Sequence, residues 1–127
     1  MKLINLINAR RIITKYKDEK VSTVLAYRLL KFMKASDTEE TLFNEKFREI
    51  INQYGQRNND GELIFSDGNV SLIPDKINEC KTQLKELENI EVDAPTVRFS
   101  IAELGELKMS IADLFVLDEI IEEEQCH

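Results

Sequence analysis

The side chains best suited to acid–base or nucleophilic chemistry are scarce in this sequence. The only histidine is His127, the last residue, and the two cysteines are Cys80 and Cys126. A Ser-His-Asp or Cys-His site needs a histidine in a fixed position, and chain ends are seldom held rigidly. Cys80 lies among apolar residues at helical spacing, which is typical of a small core residue rather than a nucleophile. The sequence therefore predicts no catalytic residues and no enzymatic activity.

The patterns that bind metals and phosphates are also missing from the sequence. It contains no Cys-x-x-Cys and no histidine pair, and its four glycines are scattered singly instead of forming a phosphate-binding loop. Glu103, Glu106 and Asp113 could converge on a divalent cation, but acidic side chains near helix starts have a simpler role beside the helix dipole. We expect no metal and no cofactor.

Charge is distributed unevenly along the chain. Residues 1–34 hold nine lysines and arginines against two acids, whereas residues 102–127 hold eight acids against one lysine. Either the basic N-terminal helices pack beside the acidic C-terminal region and neutralise it, or the surface is bipolar and attracts a partner. On the second interpretation, the candidate partner-binding residues are Glu103, Glu106, Asp113, Asp118, Glu119, Arg10, Arg11, Arg28 and Lys31.

The overall charge disfavours nucleic acid as a ligand. Phosphate binding is driven by counterion release from a basic surface, and this chain has a net charge of −7. The same electrostatics allow the reverse arrangement, in which the acidic part of the chain imitates a nucleic acid and occupies a basic groove on another protein.

Three amphipathic helices that could position these side chains are predicted over 5–17, 21–33 and 37–54. Their apolar residues recur at three- and four-residue steps, and the most regular series is Phe43, Phe47, Ile50, Ile51 and Tyr54. We expect Asp37 to cap the third helix and Gly55 to end it in the left-handed conformation.

Two later regions favour β-structure. Residues 62–65 and 69–73 flank an Asp-Gly pair, which predicts a tight hairpin that must lie on the helices or gain a further strand. Apolar residues alternate over 90–101 and predict strand there, joined with the hairpin in one small antiparallel sheet. Residues 1–4 are compatible with a short edge strand.

The remaining helices are expected over 74–87, with Pro74 in the first turn, and after two serines. Ser100 and Ser110 each begin a Ser-x-x-acid sequence, which is typical of a helix start. Gly105 is expected to end the first of these helices after about one turn, whereas the second continues as a final helix through Ile121.

These elements predict a single α+β domain over 1–121, rich in helix, with about five helices and a small antiparallel sheet or hairpin. Residues 122–127 are expected to form a frayed acidic C-terminal tail. Its three glutamates oppose the helix dipole, so they are either a solvated end or an acidic hook for a basic surface.

The length of the chain, its two cysteines and its first residues indicate where the protein is located. A chain of 127 residues can bury one core, and two unlike cysteines suggest free thiols in a reducing compartment. The apolar run near the N-terminus is too short for a signal core or a membrane span. We expect a soluble, cytoplasmic protein that does not enter a membrane.

Several segments resemble a family of small bacteriophage and prophage proteins from low-GC Gram-positive hosts, which have no established activity. The similar segments are 1–5 leading into Asn8-Ala9, 49–55 followed by an Asp-Gly turn, 86–92, 111–114 and Leu117-Asp118. The resemblance implies a phage setting and supplies no functional residues. We expect a phage-encoded assembly or accessory protein that acts by protein–protein contact, as a monomer or a homo-oligomer; the alternative is an acidic inhibitor of a host nuclease or defence system.

Overall fold

The computed structural model describes residues 1–122 and confirms a helix-rich α+β fold. The helices described there are α1 (Leu3–Lys15), α2 (Thr23–Ala35), α3 (Asp37–Tyr54), α4 (Ile77–Glu88), α5 (Ile101–Leu104) and α6 (Ile111–Leu117). The strands are β1 (Phe65–Ser66), β2 (Asn69–Val70), β3 (Phe99–Ser100) and β4 (Ile121–Glu122). Short 3-10 turns are Pro74–Lys76, Gly105–Leu107 and Asp118–Ile120.

Helix α1 contributes side chains to both hydrophobic clusters of the protein. The larger cluster contains Leu6, Ala9 and Ile13 of α1 together with Leu25, Phe32, Phe99, Leu104, Leu107, Leu117 and Ile120. The smaller cluster contains Leu3 and Ile7 of α1 with Phe43 and Leu87. Six of the 13 residues of α1 are buried, so the other elements pack around this helix.

Serine side chains cap the start of three of the helices, and the sequence predicts two of these caps. The Ser22 hydroxyl accepts a hydrogen bond from the Leu25 amide at the start of α2. Ser100 and Glu103 form a complete capping box on α5, and the Ser110 hydroxyl accepts from the Asp113 amide on α6. Each contact satisfies an amide that the first turn of a helix leaves without an acceptor.

The expected cap of α3 is wrong by one residue. Ser36 occupies the N-cap position, and Asp37 is the first residue of the helix. The Ser36 hydroxyl is already engaged, because it donates to the Phe32 carbonyl and accepts from Arg10. Asp37 instead places a negative charge in the first turn, where it is favourable beside the helix dipole.

The predicted hairpin is present, and it gains a third segment. Strands β1 and β2 are antiparallel, and Asp67 and Gly68 between them both have positive φ, as a type I′ turn requires. The Gln56 amide donates to the Ser71 carbonyl at 2.7 Å, and the Ile64 amide donates to the Gln56 carbonyl at 2.9 Å. The chain leaving α3 thus pairs with the hairpin and supports it.

The 90–101 region does not join the hairpin, so that part of the predicted sheet is wrong. Within the described residues, β3 pairs in parallel with β4, and the hairpin forms a separate sheet. The prediction that the last helix continues through Ile121 is also wrong. The chain leaves α6 after Leu117, which buries Ile120 fully and places Ile121 opposite Phe99 in the strand pair.

The N-terminus, and not the hairpin, pairs with the start of the 90–101 region. Lys2 forms an isolated antiparallel bridge with Glu91, and the Leu3 amide donates to the Ile90 carbonyl at 2.8 Å. This pairing gives an acceptor to one of the free amides at the start of α1. Helix α1 therefore begins two residues earlier than the spacing of its apolar residues indicates.

The described residues end within the region predicted to be a tail. Glu122 is exposed and pairs with Ser100 in the second sheet. The expectation for the rest of the acidic tail, residues 123–127, lies outside the described part of the chain. Across residues 1–122, the helices lack the combination of length and apolar composition that a membrane crossing needs.

Gly55 is required by a close approach, not by the left-handed conformation that the sequence predicts. Its φ is −76° and its ψ is 141°, which is extended backbone. A Cβ atom at this position would lie 2.6 Å from Leu63 Cδ2, 2.8 Å from Val70 Cγ1 and 3.0 Å from the Ile51 carbonyl oxygen. The glycine thus allows the end of α3 to contact the hairpin directly.

Replacing this glycine should therefore cost stability. We expect Gly55→Ala to lower the free energy of unfolding by about 1–3 kcal/mol, the range for overpacking of a filled site. Gly105→Ala is the matched control, because Gly105 has helical φ and ψ and a Cβ there meets no atom within 4 Å. That variant should be stabilised by about 0.4–1 kcal/mol. Urea unfolding measures both; equal effects would contradict the close-approach role.

Candidate functional site

Two of the predicted acidic residues contact helix α2. Arg28 Nε lies 2.9 Å from Glu103 Oε2, and the Arg28 guanidinium lies 5.8 Å from the centre of the Phe99 ring. The Ser22 amide and hydroxyl both donate to the Glu106 carboxylate at 2.8 Å. Both carboxylates therefore hold α2 against the α5 region, and their charge is partly compensated within the chain.

Asp113 is buried, so it does not belong to an exposed acidic face. Lys15 Nζ donates to its carboxylate at 2.8 Å, and the Tyr16 hydroxyl donates to the other carboxylate oxygen. The hydrogen bonds from Lys15 and Tyr16 lower the pKa of Asp113 below its ordinary value, although burial acts in the opposite direction. The hydrogen bond to Asp113 likewise raises the pKa of Tyr16, and burial adds to this effect. The cluster joins α1 to α6.

The other two acidic candidates, Asp118 and Glu119, are exposed. Glu119 accepts a hydrogen bond of 2.8 Å from the Asn5 side chain. Asp118 lines a concavity beside α6. Of the five predicted acids, these two and Glu106 are exposed.

Arg10 is buried and is the one basic candidate that cannot face a partner. Its guanidinium donates to the Glu40 carboxylate, to the Ser36 hydroxyl at 2.7 Å and to the Met33 carbonyl. Asp37 lies 3.6 Å away. A buried charge is tolerated when it is paired and hydrogen-bonded, and here it connects α1 to the junction between α2 and α3.

The remaining basic candidates lie at the surface. Arg11 is exposed and donates to the Asn8 side chain at 3.3 Å. Lys31 is exposed, and its ammonium lies 5.4 Å from the centre of the Tyr27 ring. Arg28 and Lys31 share a polar concavity of about 410 Å³, which is lined by Arg28, Lys31, Thr96, Val97, Arg98 and Glu122.

An apolar concavity that the sequence analysis missed lies beside α6. We call it the α6 groove; its volume is about 830 Å³, and it is lined by Ile101, Ala102, Ile111, Leu114, Phe115, Asp118 and Ile121. Ile111 and Phe115 are 89% and 83% exposed, far more than large apolar side chains of a packed core. Such a contiguous exposed patch commonly marks a contact site.

The sequence did contain a signal for this groove. At about 100° per residue, Ile111 and Phe115 project from the side of α6 opposite to the buried Asp113 and Leu117. Helix α6 therefore carries apolar side chains on two sides. One side packs in the core, and the side with Ile111 and Phe115 stays exposed.

The described residues do not bring together a metal-binding cluster. Within 1–122, no three residues among histidine, cysteine, aspartate and glutamate are grouped so that they could hold a metal ion. Cys80 is fully buried, as the sequence predicts, and burial raises the pKa of its thiol. A raised thiol pKa leaves less thiolate at neutral pH, which disfavours a nucleophilic role.

We expect Asp113→Asn to lower the free energy of unfolding at pH 7 by about 1.5–3 kcal/mol, the range for hydrogen bonds to a charged group. Because the pKa of Asp113 is lowered on folding, its contribution is complete above the ordinary value of 3.8 and is lost as the pH falls through the folded-state pKa. The raised pKa of Tyr16 gives a second limit: its contribution is complete below 10.0 and is lost as the pH rises through the folded-state value.

Urea unfolding between about pH 2 and pH 7 checks this prediction, since the variant should lack part of the acid dependence of the wild-type chain. The matched control is Asp93→Asn, which changes an exposed carboxylate and should alter stability by less than about 0.5 kcal/mol. Identical pH profiles for Asp113→Asn and the wild type would contradict the role of this cluster.

The α6 groove is mainly apolar, which bears on its role. Its walls carry one carboxylate among apolar side chains, whereas a small-molecule site usually has several convergent polar groups. Comparisons of the chain with protein-family models, with curated proteins and with solved structures found no match.

Proposed function

We propose that this protein acts by protein–protein contact through the α6 groove, without enzymatic activity. The observation that carries the proposal is the exposure of Ile111 and Phe115 on one side of α6. Burying either side chain against a partner would contribute about 1.5–3 kcal/mol. That is enough for the two together to change an affinity by more than tenfold, since tenfold corresponds to about 1.4 kcal/mol.

The setting that we propose is phage assembly, with the protein acting as an accessory factor in the cytoplasm of a bacterial host. This part of the proposal rests on the sequence segments that resemble small phage and prophage proteins. The internal pairing of the opposite charges is consistent with it, because a protein that works by apolar contact needs no strong field of one sign.

The alternative, an acidic inhibitor that imitates a nucleic acid, depends on exposed carboxylates. Asp113 is buried, and Glu103 and Glu106 contact Arg28 and Ser22. Glu106, Asp118 and Glu119 are the exposed members of the five. The two functions differ in their response to salt: binding by acidic mimicry should weaken steeply as ionic strength rises, whereas apolar contact should change little.

The proposal predicts that polar substitution of the groove removes the partner. The tagged wild-type chain and the variant Ile111→Ser/Phe115→Ser would be expressed in an infected or lysogenic host, and the co-purifying proteins quantified at low and high salt. We expect the wild type to retain virion or morphogenesis proteins at both salt concentrations, and the variant to lose them by at least about tenfold.

Leu42→Ser is the matched control, because Leu42 is an apolar helix residue that is 53% exposed and lies on α3, outside the groove. It should retain the partners of the wild-type chain. An unchanged set of co-purifying proteins in the groove variant would contradict the proposed contact surface, and partners that are lost only at high salt would favour the acidic inhibitor instead.

A further inference from the structure

A second apolar surface lies on the outward side of α2. We call it the α2 face; Val24 and Tyr27 supply its apolar area and are 69% and 58% exposed. Arg28 and Lys31 complete it, and together with Thr23 these residues line a shallow concavity of about 410 Å³. The four residues fall at i, i+3, i+4 and i+7, so they share one side of the helix.

The α2 face and the α6 groove border each other across α5 and β4. Arg28 of the α2 face contacts Glu103 of α5, and the preceding α5 residues Ile101 and Ala102 line the groove. On the other side, Arg28 and Lys31 share a concavity with Glu122, which follows the groove residue Ile121. The molecule therefore presents two neighbouring apolar patches.

The two patches carry opposite charge. Lys31 is exposed on the α2 face, and Asp118 is exposed at the groove. The α2 face carries an aromatic ring beside its basic side chains, whereas the groove is lined by apolar side chains and one carboxylate. Each patch thus has the charge that the other patch lacks.

From this complementarity we infer that the occupant of the groove is a second copy of this chain, in a two-fold symmetric dimer. In a dimer of this kind the same surface serves on both subunits, and each contact occurs twice. The α2 face of one copy covers the α6 groove of its partner, so that Lys31 meets the partner's Asp118 and Tyr27 meets the partner's Phe115. This inference rests on the proposed function: the second copy occupies the groove, and the virion or morphogenesis proteins bind the dimer that this contact forms.

A charge-exchange experiment tests the dimer. Sedimentation equilibrium of the wild-type chain should show a dimer at micromolar concentration. Lys31→Glu and Asp118→Lys should each weaken dimerisation by at least about tenfold, because each variant dimer contains two like-charge contacts. An equimolar mixture of the two variants should dimerise again, since both contacts then join opposite charges. Lys81→Glu, the same change at an exposed lysine of α4, should leave dimerisation unchanged.

The apolar part of the interface has its own readout. Tyr27→Ser and Phe115→Ser should each weaken the dimer by about tenfold or more, and circular dichroism should show that both variants stay folded, because both side chains are exposed. Loss of the dimer in Phe115→Ser with full retention in Tyr27→Ser would overturn the assignment of the α2 face.

Three further results would overturn the inference. These are a wild-type chain that is monomeric at about 100 µM, a variant mixture that stays monomeric, and a mass that keeps rising with concentration, as head-to-tail contacts would give. If the wild type is monomeric while Ile111→Ser/Phe115→Ser still loses its co-purifying proteins, the second-copy inference fails and the proposed function stands. If the groove variant also keeps every partner, both fail.

Discussion

The packing of the first three helices depends on the ion pairs and hydrogen bonds of the buried Arg10 guanidinium. It lies on the helix that serves both hydrophobic clusters, and it reaches Ser36 and Glu40 at the junction of α2 and α3. Breaking a buried ion pair by removing one partner typically costs about 3–5 kcal/mol, because the other charge is left uncompensated. The direction in which α3 leaves α2 is therefore tied to the position of α1, and the smaller cluster around Phe43 follows from it.

Ion pairs between distant parts of the chain reduce the number of charged side chains that its surface can present to a partner. Lys15 pairs with Asp113 and Arg28 with Glu103, so the basic N-terminal helices and the acidic C-terminal region meet, as the first of the two sequence interpretations proposes. These contacts pair two of the basic side chains of residues 1–34 with two of the acidic side chains that follow residue 101. The unusual feature of the exterior is apolar instead, at Ile111 and Phe115, and this shifts the proposed contact from electrostatic attraction to apolar burial.

The sequence predicted features that depend on neighbouring residues. Most errors concern features that depend on residues far apart in the chain. Helix spacing, the caps at Ser100 and Ser110 and the Asp-Gly turn act within a few residues, so they could be read from the sequence. The partner of Phe99 is 22 positions away in β4, and the reason for Gly55 is its contact with Leu63 and Val70; neither has a local signature. The same reason explains the error at Asp113. Its carboxylate contacts Lys15 instead of water because two segments nearly a hundred residues apart pack together.

The pairing of α1 with the C-terminal region has a consequence for synthesis of the chain on the ribosome. Ala9 and Ile13 belong to the same cluster as Leu117 and Ile120, and the Asn5–Glu119 hydrogen bond spans 114 positions. Part of the apolar side of α1 therefore stays uncovered until α6 and the turn that follows it have been synthesised. Segments that expose apolar surface during translation are prone to aggregate, so this topology leaves that part of α1 vulnerable while the intervening segments are made.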